Sequence, residues 1–178
     1  DSENAADHGN PAGGFSDKFY GRGGIRPRFK PHHRGEGIGS TEKFLYSVAD
    51  TRAALNDLRG FDGSPYEGII MAFTNPETGG AVFPTLDHRA QLLRPGEETL
   101  PYRHTANTLY WVLDGAGHTE VAGGRLDWAE NDIFVVPNHL WRRHVNADAG
   151  GAAVLYSVSD APLFQAIGQY FEQGKTAA

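Results

Sequence analysis

Tyr102 and His104 form a pair two residues apart, and Arg142, His144 and Asn146 form a second series with the same spacing. On a β-strand, residues two apart point to the same side, so each series presents its polar groups on one face. Imidazoles aimed into a small barrel become metal ligands when a carboxylate or a third imidazole joins them. Here Tyr102 accompanies His104, Thr108 follows four residues on, and Arg142 sets a permanent positive charge beside His144. With Tyr110 and Asn146 alongside, the set reads as a polar pocket satisfied by hydrogen bonds or water, and no metal is favoured. A shifted metal site built from His104, His144 and His139 is the alternative. A second alternative is carboxylate binding by Arg103, Arg142 and Arg143 beside Trp141 and Tyr110, because a guanidinium offers two parallel donors.

Other chemistries find no support. Without cysteine there is no disulfide framework, thiolate metal site or sulfur nucleophile. No nucleophile elbow, phosphate-binding Gly-Lys-Ser/Thr loop or dinucleotide fingerprint is present. Asp127, Glu130 and Asp132 flank a turn and read as solvated charges, not as a catalytic carboxylate pair. His88 and His118 read as surface or packing residues, and the adjacent His32 and His33 diverge. A net charge of −6 favours neither nucleic acid nor an anionic membrane. No apolar run approaches the roughly 20 residues that span a bilayer. The acidic start Asp1-Ser2-Glu3-Asn4 is unlike a secretory leader, so a cytoplasmic location is expected.

The elements that would position the pocket are short strands. They are expected over 66–74, 88–94, 108–113, 118–122, 125–129, 133–136, 141–145 and 152–158, parted by Pro95-Gly96, Asp114-Gly115, Gly123-Gly124 and Gly150-Gly151. Such a series without intervening helices makes an antiparallel sandwich or closed barrel. A helix over 50–59 is expected to lead it, capped by Asp50 and ended by Gly60. A second helix is expected to close the chain, with Pro162 in its first turn and Gly174 as its stop. Its Leu163, Ile167 and Tyr170, with Phe164 and Phe171, would pack one face on the barrel. Residues 1–40 hold nine glycines and the basic run 22–34, and read as an extended arm. Phe15, Phe19, Tyr20 and Phe29 would anchor it to its own barrel or a neighbour, and its cations also suit an anion or partner. The expected division is therefore an arm over 1–40, a barrel with a short leading helix over 41–160, and a helix and tail over 161–178.

The spacing of these residues resembles the two-part cupin pattern, which fixes the barrel as a double-stranded β-helix or jelly roll. Gly96 opens the first part and Gly115 closes it, with Tyr102, His104 and Thr108 where the pattern carries His, His and Glu. In the second part Pro137 and Asn146 hold their places. Asn131 stands for the opening Gly, His139 for the Gly after Pro, and Arg142 for the ligand His. Finer motifs, among them the segments 26–35, 75–80, 84–86, 93–96 and 103–105 with Trp128, Asp132, Trp141 and 159–162, resemble the C-terminal half of gentisate 1,2-dioxygenase. Its relatives acting on salicylate and 1-hydroxy-2-naphthoate share them.

That resemblance implies a bicupin, usually tetrameric, that cleaves an aromatic ring with Fe(II) and O₂. The iron then sits on three histidines of a separate N-terminal-type barrel, with this chain as the structural half lacking its own complete site. The partners implied are copies of the chain or an N-terminal-type cupin chain, with a small aromatic acid as candidate ligand. An autonomous dioxygenase with rearranged histidines, and a non-catalytic module binding an aromatic acid, stay open at this point.

Overall fold

The computed structural model describes residues 45–75 and 79–176. The expected arm over 1–40, with its aromatic anchors and basic run, lies outside the described residues. The first described element is α1 (Val48–Asp57). Ser47 caps it in place of the expected Asp50: its backbone is extended, and its hydroxyl accepts from the amides of Ala49 and Asp50. Asp50 falls in the first turn, where a carboxylate still favours the helix dipole.

Ten strands follow: β1 (Ile69–Ala72), β2 (Asp87–Leu93), β3 (Tyr102–His104), β4 (Thr108–Asp114), β5 (Ala116–Val121), β6 (Gly124–Ala129), β7 (Ile133–Val136), β8 (Arg142–Asn146), β9 (Ala153–Ser159) and β10 (Glu172–Gly174). They form two antiparallel sheets, ordered β1-β2-β9-β4-β7 and β10-β3-β8-β5-β6. The crossed order, with β9 between β2 and β4 and β8 between β3 and β5, is that of a jelly roll.

Alternation divides the apolar residues into two cores. Leu93, Val112, Trp128, Val136, Ala153 and Leu155 point between the sheets with Tyr110. Ala90, Leu92, Leu113 and Val154, one step out of phase, meet Ile69 and Leu55 of α1 on the outer face. Farther along the same inward faces the residues turn polar: Arg89 and Gln91 on β2, Thr108 on β4, and Ser157 and Ser159 on β9. The interior is thus apolar at one end and polar at the other.

The closing segment departs from expectation. After Asp160 the helix α2 (Ala161–Ala166) lasts six residues. Gly168, at φ +69°, then turns the chain back, a conformation that glycine adopts without steric cost. Gly174 does not stop a helix. It lies in β10, opposite Tyr102 of β3, where a β-carbon would run into the Tyr66 ring. Leu163, Ile167 and Phe171 are consequently exposed, at 44 %, 58 % and 50 %, and form no packed face.

The four glycine places of the motif share one backbone requirement. Gly96 and Gly115 have φ of +67° and +85°, and their substitutes Asn131 and His139 have +74° and +60°. The left-handed region costs an ordinary L-residue roughly 1–2 kcal/mol, less for Asn and His. His139→Gly is therefore expected to raise stability by about 0.5–1 kcal/mol, read as a higher urea midpoint at unchanged slope.

Candidate functional site

The polar end of the barrel is built from β3, β4 and β8, with β2 and β9 as its floor. The pairing of Tyr102 with Arg142 sets β3 against β8 and brings two inward faces together. The Arg142 guanidinium lies over the Tyr102 ring, 4.5 Å from its centroid. Its Nε donates to the Tyr110 hydroxyl at 3.0 Å, and its Nη2 is 2.6 Å from His104 Nε2. Thr108 Oγ1 lies 3.5 Å from the same ring nitrogen. Five expected pocket residues, Tyr102, His104, Thr108, Tyr110 and Arg142, are thus adjacent and buried.

The charge in this cluster belongs to the guanidinium alone. The Ala106 amide faces His104 at Nδ1 and Arg142 Nη2 faces it at Nε2. A neutral ring has one lone pair and one N–H and so accepts from only one of them, and a second ring proton would find no place. Burial, and then the Arg142 charge, hold the His104 pKa down at about 3. For Arg142, burial opposes the charge, but Tyr110, Tyr102 and Glu67 outweigh it and the net shift is upward. Burial also raises Tyr102 far above an ordinary phenol.

His144 faces the same interior but is a separate feature. Thr119 Oγ1 accepts from Trp128 Nε1 at 3.0 Å and lies 2.8 Å from His144 Nδ1. With the hydroxyl proton directed to Nδ1, the ring carries its own proton on Nε2. The ring packs edge-on to Tyr110, and burial, then Arg142, keep its pKa at about 3. A folded pKa below the free value of 6.5 means that the unfolded chain binds protons first as pH falls. His144 is expected to take stability away between pH 6.5 and 3, with a slope of about 1.4 kcal/mol per pH unit once the unfolded form is protonated. His104, lowered to the same value, adds a like slope, so His144→Gln would remove about half of their joint slope from urea midpoints measured across the window.

The remaining expected residues lie elsewhere. Asn146 Nδ2 donates to the carbonyls of Leu93, Arg94 and Gly151, which makes it a clamp between loops at the apolar end. His139 is exposed, with its amide bound to the His104 carbonyl, so His104, His144 and His139 do not converge. Arg103 and Arg143 are out of phase with Arg142 and point outward. Arg143 is held by Glu120 and Glu98, while Arg103 reaches Gln173 and lies over Trp141. Lys175 lies over the same indole, above an open groove of about 630 Å³ lined by Trp141, Arg143 and His139.

The sequence reading missed the floor. Glu67, Arg89, Gln91, Ser157 and Tyr170 line a small cavity of about 20 Å³ with His104, Thr108, Tyr110 and Arg142. Arg89 pairs with Asp87 at 2.6 Å and Glu67 at 3.4 Å. Burial raises the Glu67 pKa even though Arg89 and Arg142 pull it down. The signal was present in the alternation Asp87, Arg89, Gln91, Leu93, whose last member is a core residue.

Residues 90–159 match the Cupin_2 family model, a cupin domain. The chain is similar to the 5-aminosalicylate 1,2-dioxygenase of a Comamonas species, 44 % identical over 134 residues, which are 74 % of this chain and 35 % of that protein. It is also similar to the gentisate 1,2-dioxygenase of a Haloferax species, 38 % identical over 135 residues, 75 % of this chain and 36 % of that protein. The chain therefore spans about a third of the length of these curated relatives. Its fold is that of salicylate 1,2-dioxygenase from Pseudoaminobacter salicylatoxidans. The TM-score is 0.66 at 24 % identity, over 92 % of this chain and 44 % of that one.

The iron that the resemblance implies does not fit the residues present. Among the described residues no three His, Cys, Asp or Glu side chains gather as a metal-ligand group. Of the pattern's four ligand places only His104 keeps a ligand, and its Nε2 faces the Arg142 cation at 2.6 Å.

Proposed function

Because the chain carries a cupin domain related to gentisate-type dioxygenases, we propose that it is the C-terminal, structural half of such a ring-cleaving enzyme. The observation that carries this reading is the guanidinium of Arg142 in the ligand place, bonded to Tyr110 and 2.6 Å from His104 Nε2. A fixed cation there repels Fe(II) and organises the interior without it. In this reading the iron, the O₂ chemistry and the aromatic acid belong to an N-terminal-type barrel, and this half supports assembly. The outer face of β4 and β7 suits contact with that barrel. Leu109 opposes Val135 and Trp111 opposes Ile133 across the pair, all four are exposed, and β7 is a sheet edge.

The test is iron and oxygen. Purified from iron-replete medium, the chain is expected to hold substoichiometric iron and to consume no O₂ with gentisate or salicylate. Addition of an N-terminal-type cupin chain is expected to yield a complex. Stoichiometric iron that His104→Ala removes would overturn the reading in favour of an autonomous dioxygenase.

One observation favours a second reading, an aromatic-acid-binding module. Trp141, with the cations of Arg103 and Lys175 over its ring at 4.6 and 4.8 Å, offers stacking and charge at an open groove. Calorimetric salicylate binding that Trp141→Ala abolishes and Arg142→Gln spares would select it.

A further inference from the structure

Arg142 is a buried cation without a counter-charge in contact. It is 5 % exposed, and whereas Arg89 takes Asp87 and Glu67, and Arg143 takes Glu98 and Glu120, Arg142 forms no ion pair with a described residue. Its Nε is used by Tyr110 and its Nη2 faces His104, and neither contact brings a negative charge. A guanidinium taken out of water in this way is costly unless an anion or several acceptors surround it.

A second donor is stranded at the same place. Gln91, 2 % exposed, lines the same cavity, and its Nε2 is buried with no hydrogen-bond partner. Buried side-chain donors are nearly always satisfied, so an orphan beside an unpaired cation calls for one acceptor that serves both. The hydroxyls of Thr108, Ser157 and Ser159 face the same space and can turn their protons toward such an acceptor. The histidine bordering it is neutral, so the cavity's cationic character comes from the arginines.

We propose that this cavity is a binding site for one small monovalent anion of halide size, chloride in the first instance, held by the Arg142 guanidinium and the Gln91 carboxamide. Size and charge set the class. A volume of about 20 Å³ admits one water-sized occupant and excludes sulfate, phosphate and any aromatic carboxylate. A water molecule would satisfy Gln91 but would bring no negative charge into contact with the Arg142 guanidinium, since Glu67 is engaged by Arg89. Glu67 opposes the anion from the cavity wall, and its pairing with Arg89 moderates that opposition. The site thus inverts the usual barrel: the cation is part of the chain, and the exchangeable ion is negative. The inference stands on the cavity alone, whatever the enzyme half does.

The experiment uses the purified chain in sodium gluconate, whose anion is too large to enter. Chloride is titrated against gluconate at constant ionic strength, followed by chloride NMR line broadening and thermal unfolding, and crystals are soaked in bromide. A saturable, chloride-specific rise in melting temperature and one anomalous peak between Arg142 and Gln91 are expected. Gln91→Leu is expected to weaken chloride about tenfold, the loss of one donor to an ion. Glu67→Gln is expected to strengthen it several-fold, and Arg142→Gln to abolish it. Should Arg142→Gln fail to fold, the opposite shifts of the other two variants decide the matter. A refined water without anomalous signal, or a chloride response that Gln91→Leu leaves unchanged, would overturn the proposal.

Discussion

A triple variant, Tyr102→His, Thr108→Glu and Arg142→His, is expected to hold a stoichiometric divalent metal where the parent chain holds little. The positions are already arranged for it. Tyr102 and Arg142 are register partners on β3 and β8, with His104 on the same inward face as Tyr102. Around His104 Nε2, the Arg142 Nη2 lies at 2.6 Å and Thr108 Oγ1 at 3.5 Å, so side chains from all three strands reach one point. Three imidazoles and a carboxylate converging there provide borderline and hard donors suited to Fe(II), Zn²⁺ or Co²⁺. Arg142→His is the substitution that matters most, because it removes the repelling charge as well as adding a donor. The same change lets the His104 pKa rise, since the Arg142 charge is one cause of its depression. Elemental analysis after dialysis gives the stoichiometry, and cobalt substitution gives a ligand-field spectrum that reports inner-sphere nitrogen. A triple variant that folds, judged by an unchanged near-ultraviolet spectrum, and stays metal-free would show that the backbone around β3 and β8 has left the metal-binding geometry.

Asn146→Ala is expected to lower stability by about 2–4 kcal/mol, a fall in melting temperature of roughly 6–12 °C for a chain of this size. The side chain is 1 % exposed and its amide serves the carbonyls of Leu93, Arg94 and Gly151, while its Oδ1 accepts from the Asp148 amide at 3.1 Å. It thereby ties the end of β2 to the loop between β8 and β9. Alanine leaves those backbone groups without that partner in a dry place. Asn146→Asp is the sharper comparison. It keeps the size but replaces the donor with a carboxylate facing three carbonyls, so its loss should equal or exceed that of alanine. Calorimetric melting of the two variants side by side checks this, and a loss below about 1 kcal/mol for both would show that water replaces the amide easily.

Most of the barrel could be read from the chain because its strands are bounded by turn residues and obey a period of two. β2 and β4 to β9 fall within a residue or two of their expected spans. β3 has no expected span, although Tyr102 and His104 read as a strand pair, and β10 was missed. β3 is three residues long and lies inside a stretch without turn signals, while Glu172-Gln173-Gly174 has no strand propensity of its own and forms by pairing with β3. The apolar spacing over 163–171 imitated a helix face, and Gly168 with its left-handed backbone overrode it. In the site, the pocket residues on β3, β4 and β8 were legible because the motif numbers them. Arg89 and Gln91 were not, since a charged residue is read as solvated unless its strand face is known. The clamp role of Asn146 was hidden as well, for a position in a motif does not say which way a side chain bonds.

The returning strand β10 controls access to the polar end. β3, which carries Tyr102 and His104, touches β8 through a single register pair and owes its other three pairs to residues 172–174. Tyr170, a cavity wall, and Phe171, whose amide and carbonyl both bond Thr105, belong to the same closing stretch. A barrel generally folds as one unit, but its parts open locally with different ease. β10 holds β3 by three residue pairs, so it can detach and open the polar end while the rest of the barrel stays formed. Arg142 and Gln91 are hydrated in that open form, and their ionic occupant can exchange there with the surrounding water.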